Sequence, residues 1–223
     1  MTEKAHTTSP YGDDWDILWI GHCGVSCKAE EPFFLTPNEP TVLPPIHFLP
    51  YLRDVPRMRR PENARMACTV DDGVCSNAYA VSQHGAQRIL AALSVSPSPL
   101  AENIDTGAEY DVVLGRMCGH GYLRCFAPYP SLLGRYRPAG LLSKSSDIAG
   151  ASDDTIIKAE SSGLMYSTMM NLNRILNKEP TVHSTWEDAA VLDVNPSDIS
   201  APQGGSIQMQ GAQGIYAVRF VPW

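Results

Sequence analysis

The sequence predicts an α/β fold, in which buried strands alternate with helices along the chain. The first observation is a short apolar run, Asp16–Ile20, that ends in a glycine-rich turn, as a buried strand does. The second is that three later segments carry apolar residues at the spacing of an amphipathic helix. The third is a further strand pattern at Tyr122–Ala127. Because such sheets bind ligands beyond the carboxyl ends of their strands, we expect a site in the loops after Ile20, Val81 and Ala127.

The region before the first helix combines a proline-rich stretch with a predicted strand pair. Prolines recur throughout Lys28–Pro61, a density that predicts a long surface excursion and excludes a helix or a central strand. Ala64–Val70 and Ser76–Val81 have strand patterns. The three residues Asp71-Asp72-Gly73 between them have the composition of a turn.

The first and third helices are predicted from their apolar spacing. Ser82 is a suitable N-cap for a helix over Gln83–Leu93, whose predicted buried face is Ala86, Ile89, Leu90 and Leu93. A longer helix is predicted over Ser162–Asn177, with five side chains turned inward: Met165, Met169, Leu172, Ile175 and Leu176. Residues 1–178 are expected to form one domain. Residues 179–223 are expected to be a polar, poorly ordered tail, in which Ile215–Val221 is a candidate edge strand.

The second helix, predicted over Gly107–Cys118, has the best-marked ends. Thr106 and Glu109 form a Thr-x-x-Glu capping box, and Gly119 follows the last turn. Its predicted buried stripe is Tyr110, Val113, Leu114 and Met117. Asp111 lies off that stripe, near the positive end of the helix. It is therefore either a charge that stabilises the helix end or a catalytic or metal-bound carboxylate.

Composition and charge exclude several classes of protein. Of the 223 residues, 43% are apolar and 18% charged, as in a globular protein, and the net charge is −7. An acidic chain without a basic stripe is not expected to bind nucleic acid. No apolar run is long enough to span a membrane, and the polar Met1–Pro10 is not a signal peptide. A cytoplasmic location is expected if the chain is complete.

The cysteines indicate an oxidising compartment and not the cytoplasm. Their even number suits an oxidising environment, in which at least two should pair, and Cys118 with Cys125 and Cys23 with Cys27 are nearest in sequence. Ordinary buried thiols are the alternative. The spacings differ from the usual zinc-finger patterns, and no local signature of a cysteine protease is present. The six residues are Cys23, Cys27, Cys68, Cys75, Cys118 and Cys125.

Acidic residues and one histidine flank the first strand. Asp13, Asp14 and Asp16 superficially match a motif for a hard cation such as Mg²⁺ or Mn²⁺. They precede the strand, at the end opposite to a ligand site, so a solvated turn is the preferred interpretation. His22 follows the strand, in the glycine turn where a ligand is expected.

Three segments together resemble the fungal branch of glycosyltransferase family 25, which is related to lipopolysaccharide and collagen galactosyltransferases. The first, Tyr11–Gly24, is similar to that family's DWD-apolar-GHCG strand and turn. The second, Cys68–Leu90, is similar to its AYxxSxxGAxxLL block. The third, Tyr110–Cys118, is similar to the block with an acidic residue before an apolar helix. Smaller similarities occur at 138–140, 145–148 and 171–173.

The resemblance implies part of a GT-A-like nucleotide-sugar-binding fold and a hexosyltransferase activity. Such an enzyme binds a nucleotide-sugar donor with a divalent cation, usually Mn²⁺, and transfers a hexose, expected to be galactose, to a hydroxyl of a glycan or protein. By resemblance, Asp111 is the catalytic and metal-binding carboxylate. The substrate-binding residues implied are His22, Gly24, Tyr79, Ser82, Ser146 and Asp147.

The chain departs from the family pattern in one respect. The family has an acidic EDD-type metal motif upstream of the first matching strand, in an N-terminal half that this sequence lacks. An incomplete enzyme is therefore expected, located in the secretory pathway in a full-length relative. The alternatives are a non-catalytic remnant that binds a glycan or a partner, and a redox or zinc module that uses the six cysteines.

Overall fold

A mixed β-sheet is the central feature of the fold. The computed structural model describes residues 12–48, 61, 63–94, 104, 107–144, 155–193, 206–211 and 214–219. The described strands, in chain order, are β1 (Ile17–Gly21), β2 (Gly24–Cys27), β3 (Phe33–Thr36), β4 (Arg65–Val74), β5 (Ala78–Val81), β6 (Cys125–Tyr129), β7 (Arg135–Arg137), β8 (Gly140–Lys144), β9 (Thr155–Ile156), β10 (Glu160–Ser162), β11 (Thr181–Val182), β12 (Leu192–Asp193), β13 (Ser206–Gly211) and β14 (Gly214–Arg219).

Eight of these strands form one sheet. Its order is β14-β13-β3-β4-β6-β1-β5, and β2 also pairs with β4. The pair β1–β6 is parallel and the other pairs are antiparallel. Three two-stranded sheets, β7–β10, β8–β9 and β11–β12, complete the described strands. Together with the helices, this mixed sheet confirms the predicted α/β class.

Three α-helices occur in the described residues: α1 (Gln83–Leu93), α2 (Tyr110–Gly119) and α3 (Leu172–Leu176). The helix α2 packs directly on β4, because a Cβ atom at Gly115 would lie 2.5 Å from both Asp72 Oδ1 and the Gly73 carbonyl oxygen. On the sheet, Ile17 and Trp19 of β1 are fully buried in the core. None of the described helices is long and apolar enough to cross a membrane.

The strand β4 differs from the prediction of two strands and a turn. It runs without a break through Asp71-Asp72-Gly73, because its second half pairs with β2, with Val25 opposite Gly73. Gly73 is buried against the Trp19 ring, which lies 3.0 Å from where a Cβ would stand. The turn comes later, at Cys75, whose φ is +64°. The prediction of a turn at 71–73 was therefore wrong, because strand pairing overrides turn composition.

The described part of the proline-rich segment contributes a strand to the sheet, contrary to prediction. The strand β3 fits between Pro32 and Pro37 and pairs with both β4 and β13, which places it inside the sheet. Among the described residues of this segment, four side chains are buried: Leu35, Val42, Leu43 and Phe48. The prediction of a purely surface excursion was wrong, because the prolines stand at the ends of the strand and leave its ladder intact.

The predicted bounds of α1 are confirmed, whereas its predicted buried face is confirmed only at Ile89. The Ser82 hydroxyl accepts the Gly85 N–H at 2.9 Å, as an N-cap does. The buried residues are Gly85, Ile89 and Ala92, whereas Leu90 is 71% exposed. The face is rotated because Gly85, in the first turn of the helix, packs against the Asp16 backbone.

The helix α2 begins later than predicted. Its N-cap is Glu109, whose side chain makes no capping hydrogen bond, and Thr106 lies outside the described residues. Tyr110 is exposed, contrary to prediction, whereas Val113, Leu114 and Met117 are buried as predicted. Gly119 belongs to the helix, and the left-handed glycine beyond it is Gly121, with φ +71°.

The third predicted helix was largely wrong. Only Leu172–Leu176 is helical, and residues 163–171 form bends and turns, which begin with Gly163 at φ +81°. Four of the five predicted inward side chains are more than a third exposed: Met169, Leu172, Ile175 and Leu176.

In the polar tail, the predicted edge strand is confirmed as β14, paired with β13 at the end of the sheet.

All six cysteines form disulfides, which are Cys23–Cys75, Cys27–Cys68 and Cys118–Cys125. The prediction that at least two cysteines pair is confirmed. Of the two pairs nearest in sequence, Cys118–Cys125 forms. Cys23 and Cys27 do not pair with each other, because four residues of extended chain separate them by roughly 13 Å. No thiolate remains to bind zinc, so the structure does not support the zinc alternative.

Candidate functional site around Asp111

Asp111 lies in the first turn of α2, off the buried face of that helix. Its Oδ2 atom accepts the backbone N–H of Cys75 at 2.6 Å, and its Oδ1 atom accepts the N–H of Val112 at 3.0 Å. A carboxylate is favourable at a helix N-terminus, and its hydrogen bonds to N–H groups are charge-assisted. Asp111 therefore joins the start of α2 to the turn that follows β4.

That turn is fixed from three directions. The Cys75 carbonyl oxygen accepts the indole N–H of Trp19 at 3.0 Å, and its sulfur is bonded to Cys23. Cys23 also donates its N–H to the Val74 carbonyl oxygen at 3.0 Å. Cys75 thus keeps a left-handed conformation that is uncommon for a residue with a side chain.

Two tyrosines meet at the start of α2, and one of them, Tyr110, precedes Asp111 in the sequence. The hydroxyl oxygens of Tyr79, on β5, and Tyr110, at the start of α2, are 3.2 Å apart. Burial, together with the hydrogen bond to Tyr79, raises the pKa of Tyr110 to about 12. Tyr110 therefore remains a neutral phenol at physiological pH, and its ring is 42% exposed. The pair offers hydroxyl groups and aromatic surface to a ligand.

His22 lies on the other side of the Cys23–Cys75 disulfide, and its ring is buried. Its Nε2 atom is 2.7 Å from the Pro128 carbonyl oxygen, which can only accept, so Nε2 carries the proton. The backbone N–H of His22 donates to Ser131 Oγ at 3.1 Å. Within the described part of the chain, its buried Nδ1 atom has no hydrogen-bond partner. Burial lowers the pKa of His22, and the Pro128 hydrogen bond opposes this effect.

The structure brings some predicted site residues together and separates others. Asp111, His22 and Gly24 lie next to the residues of the Cys23–Cys75 disulfide, in sequence or through a hydrogen bond, and Gly24 is buried at the start of β2, opposite Val74. Tyr79 joins this group only through the hydroxyl of Tyr110, the residue before Asp111. Ser82 lies at the other end of β1, beside Asp16, where it caps α1. Ser146 and Asp147 lie outside the described residues.

Two residues of this region gave no sequence signal. Arg65 donates from Nη1 to the carbonyl oxygens of Pro130 and Ser131, at 2.6 and 3.1 Å, and pairs with Glu39. Ser131 Oγ is 2.8 Å from the Leu133 carbonyl oxygen, which accepts its proton. Arg65 and Ser131 therefore shape the loop beyond the carboxyl end of β6. Neither stands in a motif, and only the pairing of β4 with β6 brings them together.

The acidic residues before β1 form a separate, smaller site. Asp13 and Asp14 are exposed, as a solvated turn predicts, but Asp16 is buried. Its carboxylate accepts the Arg124 N–H at 2.8 Å and lies 2.8 Å from His84 Nδ1. The prediction of a solvated turn was wrong for Asp16, because its carboxylate holds β1 to the segment before β6.

The described residues do not fit a complete Mn²⁺ site. They contain no group of three or more His, Cys, Asp or Glu side chains placed to hold a metal ion. Asp111 could supply one ligand, since each of its oxygens has accepted one N–H and retains further acceptor capacity. The remaining ligands of any Mn²⁺ ion would have to come from outside the described residues.

Comparisons of the chain with protein-family models, with curated proteins and with solved structures found no match.

Proposed function

We propose that this chain is a hexosyltransferase-like protein of the family 25 type, with its sugar-binding centre at Asp111, Tyr79 and Tyr110. In this proposal the donor is a nucleotide sugar, expected to carry galactose, and the acceptor is a hydroxyl of a glycan or protein. The proposed fold is a GT-A-like α/β domain, a finer statement than the mixed α/β class that the sheet defines.

One observation carries the proposal. The three segments that resemble the family, Tyr11–Gly24, Cys68–Leu90 and Tyr110–Cys118, meet in a single network. Cys23 of the first is bonded to Cys75 of the second, and Cys75 donates to Asp111 of the third. The second and third also meet through the two tyrosine hydroxyls. Segments that share one site are expected to converge in this way.

The chemistry of the cluster suits a sugar. Each oxygen of Asp111 can accept a sugar hydroxyl as well as its backbone N–H, and a carboxylate so placed can take the proton of an acceptor hydroxyl. The exposed Tyr110 ring offers a flat apolar surface to the C–H face of a sugar. The Tyr110 hydroxyl remains protonated and can donate to a sugar oxygen.

A second candidate is a non-catalytic module that binds a glycan. Two observations favour it: both Asp111 oxygens already hold backbone N–H groups, and the described residues contain no metal-binding group. Such a module would bind a free glycan without a nucleotide sugar.

The two candidates differ in their ligands. Isothermal titration of the full chain with uridine diphosphate galactose and glucose, with and without Mn²⁺, tests the first. We expect binding that depends on Mn²⁺, with little or no transfer to a hydroxyl acceptor. Tyr110→Phe, which removes only a hydroxyl, and Asp111→Asn should each weaken binding by about tenfold or more.

Glu109→Gln is the matched control, because Glu109 is an exposed carboxylate at the same helix end without a capping hydrogen bond. It should leave the affinity unchanged. Absence of nucleotide-sugar binding, with or without Mn²⁺, would contradict the transferase proposal, and binding of free glycans alone would favour the second candidate.

A further inference from the structure

A cavity of about 850 Å³ lies between α3 and the β11–β12 pair, away from the Asp111 cluster. Its volume is within the range of about 300–1,000 Å³ that is usual for small-molecule sites. Thr41, from the proline-rich segment, contributes to its wall. The Asp111 network shares no residue with its lining.

The walls of this cavity are held by side chain to backbone hydrogen bonds. The Asn171 amide donates to the carbonyl oxygens of Ser167 and His183, at 3.0 and 2.9 Å, and accepts the His183 N–H at 2.8 Å. On the other side, the Tyr166 hydroxyl donates to the Ala190 carbonyl oxygen at 3.0 Å. These bonds fix the start of α3 to the end of β11, so the cavity is formed before any ligand binds.

The proline-rich segment is fixed against the same region. The rings of His47 and Trp186 are stacked with centroids 4.0 Å apart, and His47 Nε2 lies 3.0 Å from Asp188 Oδ1. Thr41 accepts a hydrogen bond from Arg65 Nη2 at 3.3 Å, and Arg65 also holds the loop after β6. One wall of the cavity is thereby joined to the carboxyl end of the parallel pair β1–β6, where α/β sheets bind ligands.

Two charged side chains in the lining are not paired with each other. Lys178 and Asp193 both line the cavity, and neither side chain forms an ion pair or hydrogen bond with another described residue. The third charged residue, Glu179, is paired with Arg174. The lining therefore presents one donor group and one acceptor group that are available to a ligand. The rest is largely apolar, with Ile175, Val182 and Leu192 on the walls.

We propose that this cavity binds a neutral saccharide unit. A sugar ring combines hydroxyls that both donate and accept with an apolar C–H face, which matches Asp193, Lys178 and the apolar walls. A nucleoside diphosphate fits poorly. The lining carries only one cationic side chain, Lys178, to bind the phosphates, and two carboxylates, Glu179 and Asp193, that repel them. A purely apolar ligand would offer neither charged group a hydrogen-bond partner. The proposal does not depend on the function of the Asp111 cluster.

The test uses the full chain and three probes: methyl β-galactopyranoside, methyl β-glucopyranoside and methyl α-mannopyranoside. Saturation-transfer NMR detects binding, and titration calorimetry gives Kd, which we expect to be millimolar for at least one probe. Asp193→Asn and Lys178→Gln remove the charges that strengthen the two polar contacts. Ile175→Trp fills the cavity from a residue that is 43% exposed, so the fold should tolerate it.

Each of these variants should weaken binding by about tenfold or more. Glu187→Gln and Lys158→Gln, which change exposed charges outside the cavity, should leave Kd within a factor of about two. Asp111→Asn should also leave it unchanged, which separates this site from the proposed transferase centre. Circular dichroism verifies that each variant is folded.

Two results would overturn the proposal. One is that none of the three glycosides binds, or that they bind the cavity variants as tightly as the unmodified chain. The other is that uridine diphosphate binds and Ile175→Trp abolishes that binding, which would show that the cavity takes an anionic ligand.

Discussion

The carboxylate of Asp111 accepts the backbone N–H of Cys75 at 2.6 Å, although 36 positions separate the two residues in the sequence. This hydrogen bond connects the first turn of α2 to the turn after β4, and the Cys23–Cys75 disulfide extends the connection to the end of β1. Any ligand bound at Asp111 would therefore be sensitive to the position of three separate elements.

Substitution of Asp111 should lower stability as well as alter binding. In Asp111→Asn, one of the two backbone N–H groups would face an amide NH₂ in place of an oxygen. We expect a loss of about 1–3 kcal/mol in the free energy of unfolding, measured by urea denaturation. Glu109→Gln should change it by less than about 0.5 kcal/mol. Equal stability of Asp111→Asn and the unmodified chain would show that the Cys75 bond contributes little.

The contact between α2 and β4 should not tolerate a methyl group. A Cβ at Gly115 would lie 2.5 Å from the Gly73 carbonyl oxygen, which is backbone and cannot turn aside. Gly115→Ala should therefore destabilise the protein by about 1–3 kcal/mol in spite of the higher helix propensity of alanine. Val112→Ala, on the half-exposed side of the same helix, should cost less. A stabilised Gly115→Ala variant would mean that α2 does not lie against β4 as described.

The disulfides connect elements that are distant in sequence, which peptide mapping can verify. Without reductant, the denatured chain should show no free thiol, and mass spectrometry should recover Cys23 linked to Cys75. Replacing both by serine should cost about 3 kcal/mol. The cost is moderate because Cys27–Cys68 lies within the loop and already restrains it. Recovery of a Cys23–Cys27 peptide would contradict the structure.

Stability should decrease below neutral pH because of His22. Its pKa in the folded protein is lowered from 6.5 by burial, so the unfolded chain binds a proton at a higher pH than the folded chain does. The contribution of His22 is complete above pH 6.5 and decreases, by up to about 1.4 kcal/mol per pH unit, as the pH falls toward its folded pKa.

The measurement compares the unmodified chain with His22→Gln, which keeps a donor for the Pro128 carbonyl oxygen. Urea denaturation of both proteins between pH 7.5 and about 5 separates His22 from the other histidines, because only the difference between the curves is used. Parallel curves across this range would rule out a lowered pKa at His22.

Local signals in the sequence predicted the elements whose ends are fixed by nearby residues. Ser82 caps α1 through a residue only three positions away, so the predicted bounds of that helix are correct. The apolar run of β1 and the Cys118–Cys125 disulfide were likewise within reach of a short sequence window. The resemblance placed Asp111 and Tyr79 among the site residues, and the structure leaves their function as a proposal.

Long-range contacts decided the rest, because strand pairing and packing can outweigh local propensity. β4 continues through Asp71-Asp72-Gly73 because β2 pairs with it. Cys23 is bonded to Cys75 because an extended strand separates it from Cys27. Arg65 reaches the loop after β6 only because β4 and β6 are neighbours in the sheet. The sequence by itself thus determined the fold class and the bounds of α1. The tertiary structure decided which residues surround Asp111, because those contacts join segments that no local pattern relates.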